Sequence, residues 1–211
     1  FVPERLRHIT THDAPRQAFG NRRFPDARLA NEHRIILRPP REDLHDPADF
    51  LVTTNDGRKD NVMTISWTMV VDFTPVFAIT TGEWNHSFAA LRKNRECVIA
   101  IPTVDMLDKV VGIGTCSGKD TDKFAKFKLT PVQAKLVRPP LIKECLANIE
   151  CKVIDIVKKH NIVVLKAVAA CIDTVRKETR TVHAVGDGTF IVDGRRIDRR
   201  KMMASKMPFG A

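Results

Sequence analysis

The chain has 211 residues, 43% of them hydrophobic and 28% charged, with a formal net charge of +10. These are the proportions of a globular domain with a substantial core. No apolar stretch reaches the length of a membrane-spanning helix and no signal-peptide core opens the chain, so the expectation is a cytoplasmic protein with no membrane partner.

The charge excess is uneven. Residues 1–47 carry a net +2, residues 48–175 a net +3 and residues 176–211 a net +5. The expected organisation is an irregular N-terminal extension over 1–47, a central domain over 48–175, and a basic C-terminal extension over 176–211 that completes it. A basic tail attracts phosphorylated nucleotides or acidic partners alike. The near-balanced centre, the 6% aromatic content and the absence of Tyr speak against a stacking platform for single strands, so nucleic acid is not the expected partner. The chain opens on Phe1 rather than Met, which leaves open whether the native N-terminus is present.

In chain order, residues 1–34 are Arg-rich, broken by Pro3, Pro15 and Pro25, and read as an extension packed across a partner subunit. His8, His12 and His33 have no carboxylate or Cys at ligand spacing, and no metal site is read there. Ile35-Ile36-Leu37 is a short strand stopped by Pro39-Pro40. Phe50 to Thr54 is the next strand, and Asn55-Asp56-Gly57 supplies the turn after it.

Every second residue from Met63 is then apolar: Met63, Ile65, Trp67, Met69 and Val71. This alternation predicts one strand with those five side chains in the core, Trp67 packing behind the opposite face. That opposite face carries Thr64, Ser66 and Thr68, hydroxyls about 6–7 Å apart. They face water, as strand threonines commonly do, or they line a ligand bed. After a turn at 72–75, the run Val76 to Ile79 is closed by Thr80, Thr81 and Gly82. Asn85 and Ser87 suit the N-cap of a helix reaching Asn94, and a helix start offers unpaired N–H groups to an anion. A hydroxyl-lined strand beside a helix start fits a phosphorylated, planar cofactor.

Cys97 to Ile101 is a buried strand ended by Pro102, and Val104 to Val111 has helical spacing. Gly112-Ile113-Gly114-Thr115-Cys116-Ser117 imitates a dinucleotide-binding glycine motif, but its third glycine is missing and a helix precedes it. It reads instead as a flexible loop ending at Ser117-Gly118. Asp120 or Thr121 then caps a short helix bearing Lys123 and Phe124, with Lys123 either meeting a phosphate or nicotinamide or simply solvated. Glu144 to His160 and Ile162 to Ile172 are long strands, with a phase slip at Asp155 that a β-bulge explains. The second is apolar on both faces except at Lys166, which points to a second subunit over its outer side. Thr189 to Val192 is a short strand, and Arg195, Arg196, Arg199, Arg200 and Lys201 form a solvated basic face. The five cysteines include no C-x-x-C pair. Cys145 and Cys151 share one face of the expected strand about 20 Å apart, too far to bridge. Cys116 is the thiol to test for reactivity.

Many strands, hairpin connections and no βαβ repeat give a mainly β, antiparallel barrel. Asn61-x-x-Thr64-x-Ser66-Trp67, the Pro75 turn, His86-Ser87 and Ser117-Gly118-x-x-x-Asp122-Lys123-Phe124 occur in an order and spacing that resembles the flavin reductase-like, FMN-binding split-barrel family, which includes the flavoredoxins. The resemblance covers roughly residues 50–173. It implies an antiparallel split β-barrel with short helices, a homodimer with FMN at the interface, and chemistry carried by the flavin rather than by catalytic side chains. The implied cofactor set is Asn61, Thr64, Ser66, Trp67, Thr81, Asn85, His86, Ser87, Ser117, Gly118 and Lys123. Phe124 and His183 would face the substrate, His183 beside the isoalloxazine ring. The implied function is an NADH- or NADPH-dependent flavin reductase, or a flavoredoxin passing electrons to or from a redox protein. A pyridoxamine-phosphate-oxidase-like FMN enzyme and a non-catalytic basic barrel binding nucleic acid stand as alternatives. The hydroxyls of Thr64, Ser66 and Ser87 suit one phosphate monoester better than a polymer backbone.

Overall fold

Phe50–Asn55 (β1) turns back through Asp56 and Gly57 into Asp60–Ile65 (β2). Gly57 takes a φ of 101°, open to glycine, and its N–H donates to Asn55 Oδ1 at 2.7 Å. The hairpin pairs antiparallel along its whole length, Phe50 opposite Ile65. The computed structural model describes residues 49–72, 74–195 and 197–203. The expected extension over 1–47, its strand at 35–37 and its histidines lie outside the described residues.

The strand expected to continue through Trp67 stops at Ile65. Thr68–Asp72 (β3) is a separate strand that pairs with Val76–Thr80 (β4). The helix His86–Asn94 (α1) leads to Glu96–Ile101 (β5). A single turn of 3-10 helix then feeds Leu107–Gly114 (α2), and Lys123–Lys126 (α3) follows. Pro131–Val132 (β6) and Leu141–Ile142 (β7) pair with each other, ahead of the long hairpin Ala147–Val157 (β8) and Ile162–Ile172 (β9). Among the described residues the main sheet is antiparallel and seven-stranded, in the order β2-β1-β5-β8-β9-β4-β3.

That order forces the sheet to curl. Its two edges, β2 and β3, are consecutive in the chain and joined only by Ser66 and Trp67. Three Cα steps span at most about 11 Å, whereas the edges of a flat seven-stranded sheet lie about 29 Å apart. The edges must therefore approach each other, and the Trp67 carbonyl accepts the Thr80 N–H at 3.0 Å as the chain enters β3.

Curling creates an inner and an outer packing surface. The inner one takes alternate residues of every long strand, among them Val52, Met63, Ile65, Ile79, Ile99, Cys151 and Leu165, with Phe88 and Leu91 of α1 packed against them. The outer one takes the opposite parity of β1, β2 and β5, namely Leu51, Val62 and Ala100, covered by Met106, Val110, Ile113 and Phe124.

Several expectations change here. Trp67 is 69% exposed, and Met69 and Val71 are more than half exposed. The alternation holds for Met63 and Ile65 and fails beyond, because the chain crosses to an edge strand with β4 on one side only. Glycines 112 and 114 lie inside α2 rather than in a flexible loop, and the cap of α3 is Asp122, which accepts the Ala125 N–H at 3.1 Å. The second long hairpin begins at Ala147. Cys145 therefore sits in the preceding turn, buried in the outer cluster, while Cys151 belongs to the inner one. The bulge near Asp155 is present as a register shift between Val153 and Asp155. On β9, Val163, Leu165 and Ala167 are buried, while Ile162, Val164 and Val168 on the other face are only half-covered in the single chain. A strand not anticipated, Val182–Ala184 (β10), pairs with Phe190–Val192 (β11), and its Val182 carbonyl accepts the Asp49 N–H at 3.1 Å. Arg195, Arg199, Arg200 and Lys201 are exposed.

The two burial environments predict opposite mutational costs. Leu165→Ala, at a fully buried inner position, should destabilise by about 2–5 kcal/mol, whereas Trp67→Ala should stay within about 0.5 kcal/mol in the isolated chain. Urea unfolding of both variants checks this, and a Trp67→Ala cost as large as that of Leu165→Ala would contradict the exposed placement.

Candidate functional site

Beside the outer cluster, the end of β2, the start of α1 and the segment from α2 to α3 enclose a polar cavity of about 380 Å³. Asn61 and Thr64 reach it from β2, and Asn85 and His86 from the start of α1. Gly114, Thr115, Cys116, Ser117 and Gly118 form the opposite wall, with Lys123 at the start of α3. Residues 62 apart in sequence thus share one cavity because α2 packs over β1 and β2 and returns the chain to β2.

Local chemistry fixes each wall. Asn85 caps α1, its side-chain oxygen accepting the Ser87 N–H at 3.0 Å. Ser87 is 1% exposed and stands behind Asn61, whose amide donates to Ser87 Oγ at 2.8 Å. Thr64 faces outward under α2, and its hydroxyl donates to the Val110 carbonyl at 2.6 Å. The thiol of Cys116 donates to the Gly112 carbonyl at 3.4 Å.

Lys123 carries the main electrostatic feature. It is 5% exposed, and its ammonium donates to the Ile113 carbonyl at 2.8 Å, in the last turn of α2. A cation there complements the negative end of the helix. No carboxylate among the described residues pairs with it. Burial accordingly lowers its pKa below the usual lysine range, partly opposed by Cys116.

Asn61, Thr64, Asn85, His86, Ser117, Gly118 and Lys123 are thus brought to one cavity, with Ser87 one bond behind it. The other members of the expected set lie elsewhere. Ser66 is half-buried in the link between β2 and β3, beside Asp49. Trp67 lines a shallow apolar depression with Met69, Ala78 and Ile162. Thr81 is buried, its N–H donating to the Asn161 carbonyl at 2.9 Å. Phe124 points into the outer cluster. His183 lies on β10 with Nε2 2.8 Å from Asp193 Oδ1. Trp84, which the motifs do not mark, also lines the cavity. A lone aromatic in a turn has no periodicity to flag it, and its one sequence signal is the glycine two residues earlier.

Gly118 is buried directly against the Asn61 amide, and a Cβ there would overlap it. Gly118→Ala should therefore displace Asn61, break its bond to Ser87 and destabilise by about 1–3 kcal/mol. Added to Asn61→Ala, the same change should cost markedly less. Thermal unfolding over this double-mutant cycle checks it, and strict additivity would contradict the contact.

Residues 49–188 match the family model described as the flavin reductase like domain. An uncharacterised protein of Archaeoglobus fulgidus is 38% identical over 97 residues, covering 46% of this chain and 55% of that protein. One of Pyrococcus abyssi is 36% identical over 115 residues, covering 53% and 64%. The chain thus spans between half and two thirds of the length of these two relatives. Among solved structures, the flavoredoxin of Desulfovibrio vulgaris (Miyazaki F) superposes with a TM-score of 0.68 at 22% identity, covering 76% of this chain and 94% of that one. The flavoredoxin of Methanosarcina acetivorans gives 0.66 at 20%, covering 84% and 100%. At such identities the likeness concerns the fold, a split β-barrel of which the curled sheet is this chain's version. With the family model matching well over half its length, the chain belongs to the flavin reductase like family.

Proposed function

We propose that this chain binds FMN with its phosphate in the polar cavity and acts as a flavin-dependent oxidoreductase, of the NAD(P)H:flavin reductase or flavoredoxin type. The observation that carries the reading is the buried ammonium of Lys123, bonded to a helix carbonyl and with no carboxylate partner among the described residues, at a cavity that also opens on the start of α1. A buried cation without a counter-charge is costly, and a phosphate supplies one. The donor set fits such a group. The Asn61 amide donates to oxygen with the Ser87 hydroxyl behind it, the start of α1 offers the positive end of a helix, and Ser117 adds a hydroxyl on the facing wall. The cavity also falls within the range of small-ligand sites. Bound FMN would supply the redox chemistry, taking electrons from NADH, NADPH or a redox protein. The chain's own residues hold the phosphate, orient the ring relative to it and keep water from the buried ammonium.

In this reading residues 48–175 form the flavin-binding barrel and residues 176–211 complete it. A homodimer accompanies it, supported by the half-covered outer face of β9 and by the exposed Trp67, Met69 and Val71 on the β3 edge. Sedimentation at low micromolar concentration should give twice the chain mass, and a folded, FMN-binding monomer would rule the dimer out.

Flavin fluorescence titration tests the phosphate site. FMN should bind more tightly than riboflavin. Lys123→Met should weaken FMN by about tenfold to a hundredfold, the worth of a charged hydrogen bond, and leave riboflavin unchanged. Equal loss for both flavins would remove Lys123 from the phosphate. The same substitution should raise the stability of the ligand-free protein. With the folded pKa of Lys123 below its unfolded value, the unfolded chain binds more protons between the two, so wild-type stability rises with pH in that window. Lys123→Met should flatten that rise.

A further inference from the structure

We infer that Trp84 is the aromatic wall on which the flavin ring stacks, and so the residue that holds the planar part of the ligand; this rests on the FMN reading above. Exposure alone would carry nothing, since single exposed aromatics are common. Three features separate Trp84 from an ordinary surface ring. It lines the same cavity as Asn61, Asn85 and Lys123 while remaining 66% exposed, so one side of the indole is open to a ligand.

Its backbone is pinned on both sides. The Asn85 N–H donates to the Gly82 carbonyl at 2.9 Å, closing a turn around Glu83 and Trp84, and the next residues are fixed by the Asn85 cap of α1. The ring is also laid down against Gly82, where a Cβ would overlap three carbons of the indole. Glycine at 82 is thus the clearance that lets the ring fold back beside the cavity. A rigidly presented aromatic face pays little ordering cost on binding.

The cavity then has two chemically distinct ends. Lys123, Asn61 and the start of α1 suit an anion, and the open indole face suits a planar, electron-poor ring. A ligand with a phosphate at one end and a fused ring system at the other matches both. Stacking of a planar heterocycle on an aromatic side chain changes affinity by about tenfold or more. Unlike the phosphate contacts, it acts on any ligand that carries the ring.

The experiment compares FMN and riboflavin affinities, by flavin fluorescence, for wild type, Trp84→Ala, Trp84→Phe and Gly82→Ala, with thermal unfolding beside each. Trp84→Ala should weaken FMN and riboflavin by the same factor of about ten, and Trp84→Phe should recover most of that loss. Gly82→Ala keeps the indole but displaces it, and should weaken both flavins in the same direction. Because the ring is largely exposed, none of these variants should lose its cooperative transition. Wild-type FMN affinity in Trp84→Ala would overturn the stacking role while leaving the FMN reading standing. Loss of FMN binding with riboflavin unaffected would overturn it too, by placing Trp84 at the phosphate. Failure of wild type to bind either flavin would overturn both readings. A ring that merely covers Gly82 would register in unfolding temperature and not in affinity.

Discussion

Two residues, Ser66 and Trp67, connect opposite edges of a seven-stranded sheet. A link of about 11 Å cannot bridge a flat sheet, so every strand between β2 and β3 must share in the curvature. That curvature is what gives the fold two packing surfaces. The inner side chains meet across the concave face, while the convex faces of β1, β2 and β5 need another cover, which α2 and Phe124 of α3 provide. The cavity lies where that cover meets the end of β2 and the start of α1. It is a consequence of how the outer layer is attached.

Within that geometry one charge stands out. Among the described residues most cations are exposed, and several are paired, as Arg176 is with Asp105 at 2.7 Å and Arg200 with Asp198 at 2.6 Å. Lys123 is buried and, among the described residues, satisfied by a helix carbonyl alone. The capping contact gives it a structural use, but a carbonyl dipole compensates a buried ammonium less than a full negative charge does. The net +10 of the chain is therefore a poor guide to its ligand, and this single residue is a better one. The cysteines tell a similar story. Cys97 and Cys151 face each other across β5 and β8 in the core, where their mutual contact and then burial push the Cys97 thiol well up, while the Cys116 thiol is spent on the end of α2.

Much of this was legible in the residues themselves. The β1–β2 hairpin follows from Asn55-Asp56-Gly57, the start of α1 from Asn85, and the bulge in β8 from the phase slip at Asp155. The break at Ser66-Trp67 was not, because no glycine or proline marks it and the alternation runs on unbroken to Val71. Gly112 and Gly114 read as a loop, yet Gly112 sits in a helix because the Phe127 ring packs where its Cβ would be. The β10 strand is three residues long, too short for a pattern, and is held by the Asp49 N–H. Of the expected binding residues, those next to helix caps and close glycine contacts gather at the cavity. Those chosen for continuing the alternation, Ser66 and Trp67, do not, for the same reason the strand breaks.

A crystal structure of the protein with FMN tests the central claim most directly. The account predicts the phosphate within hydrogen-bonding distance of Lys123 Nζ and of the donors at Asn61 and the start of α1. A flavin whose phosphate lies outside this cavity, with Lys123 still bonded to the Ile113 carbonyl alone, would contradict it.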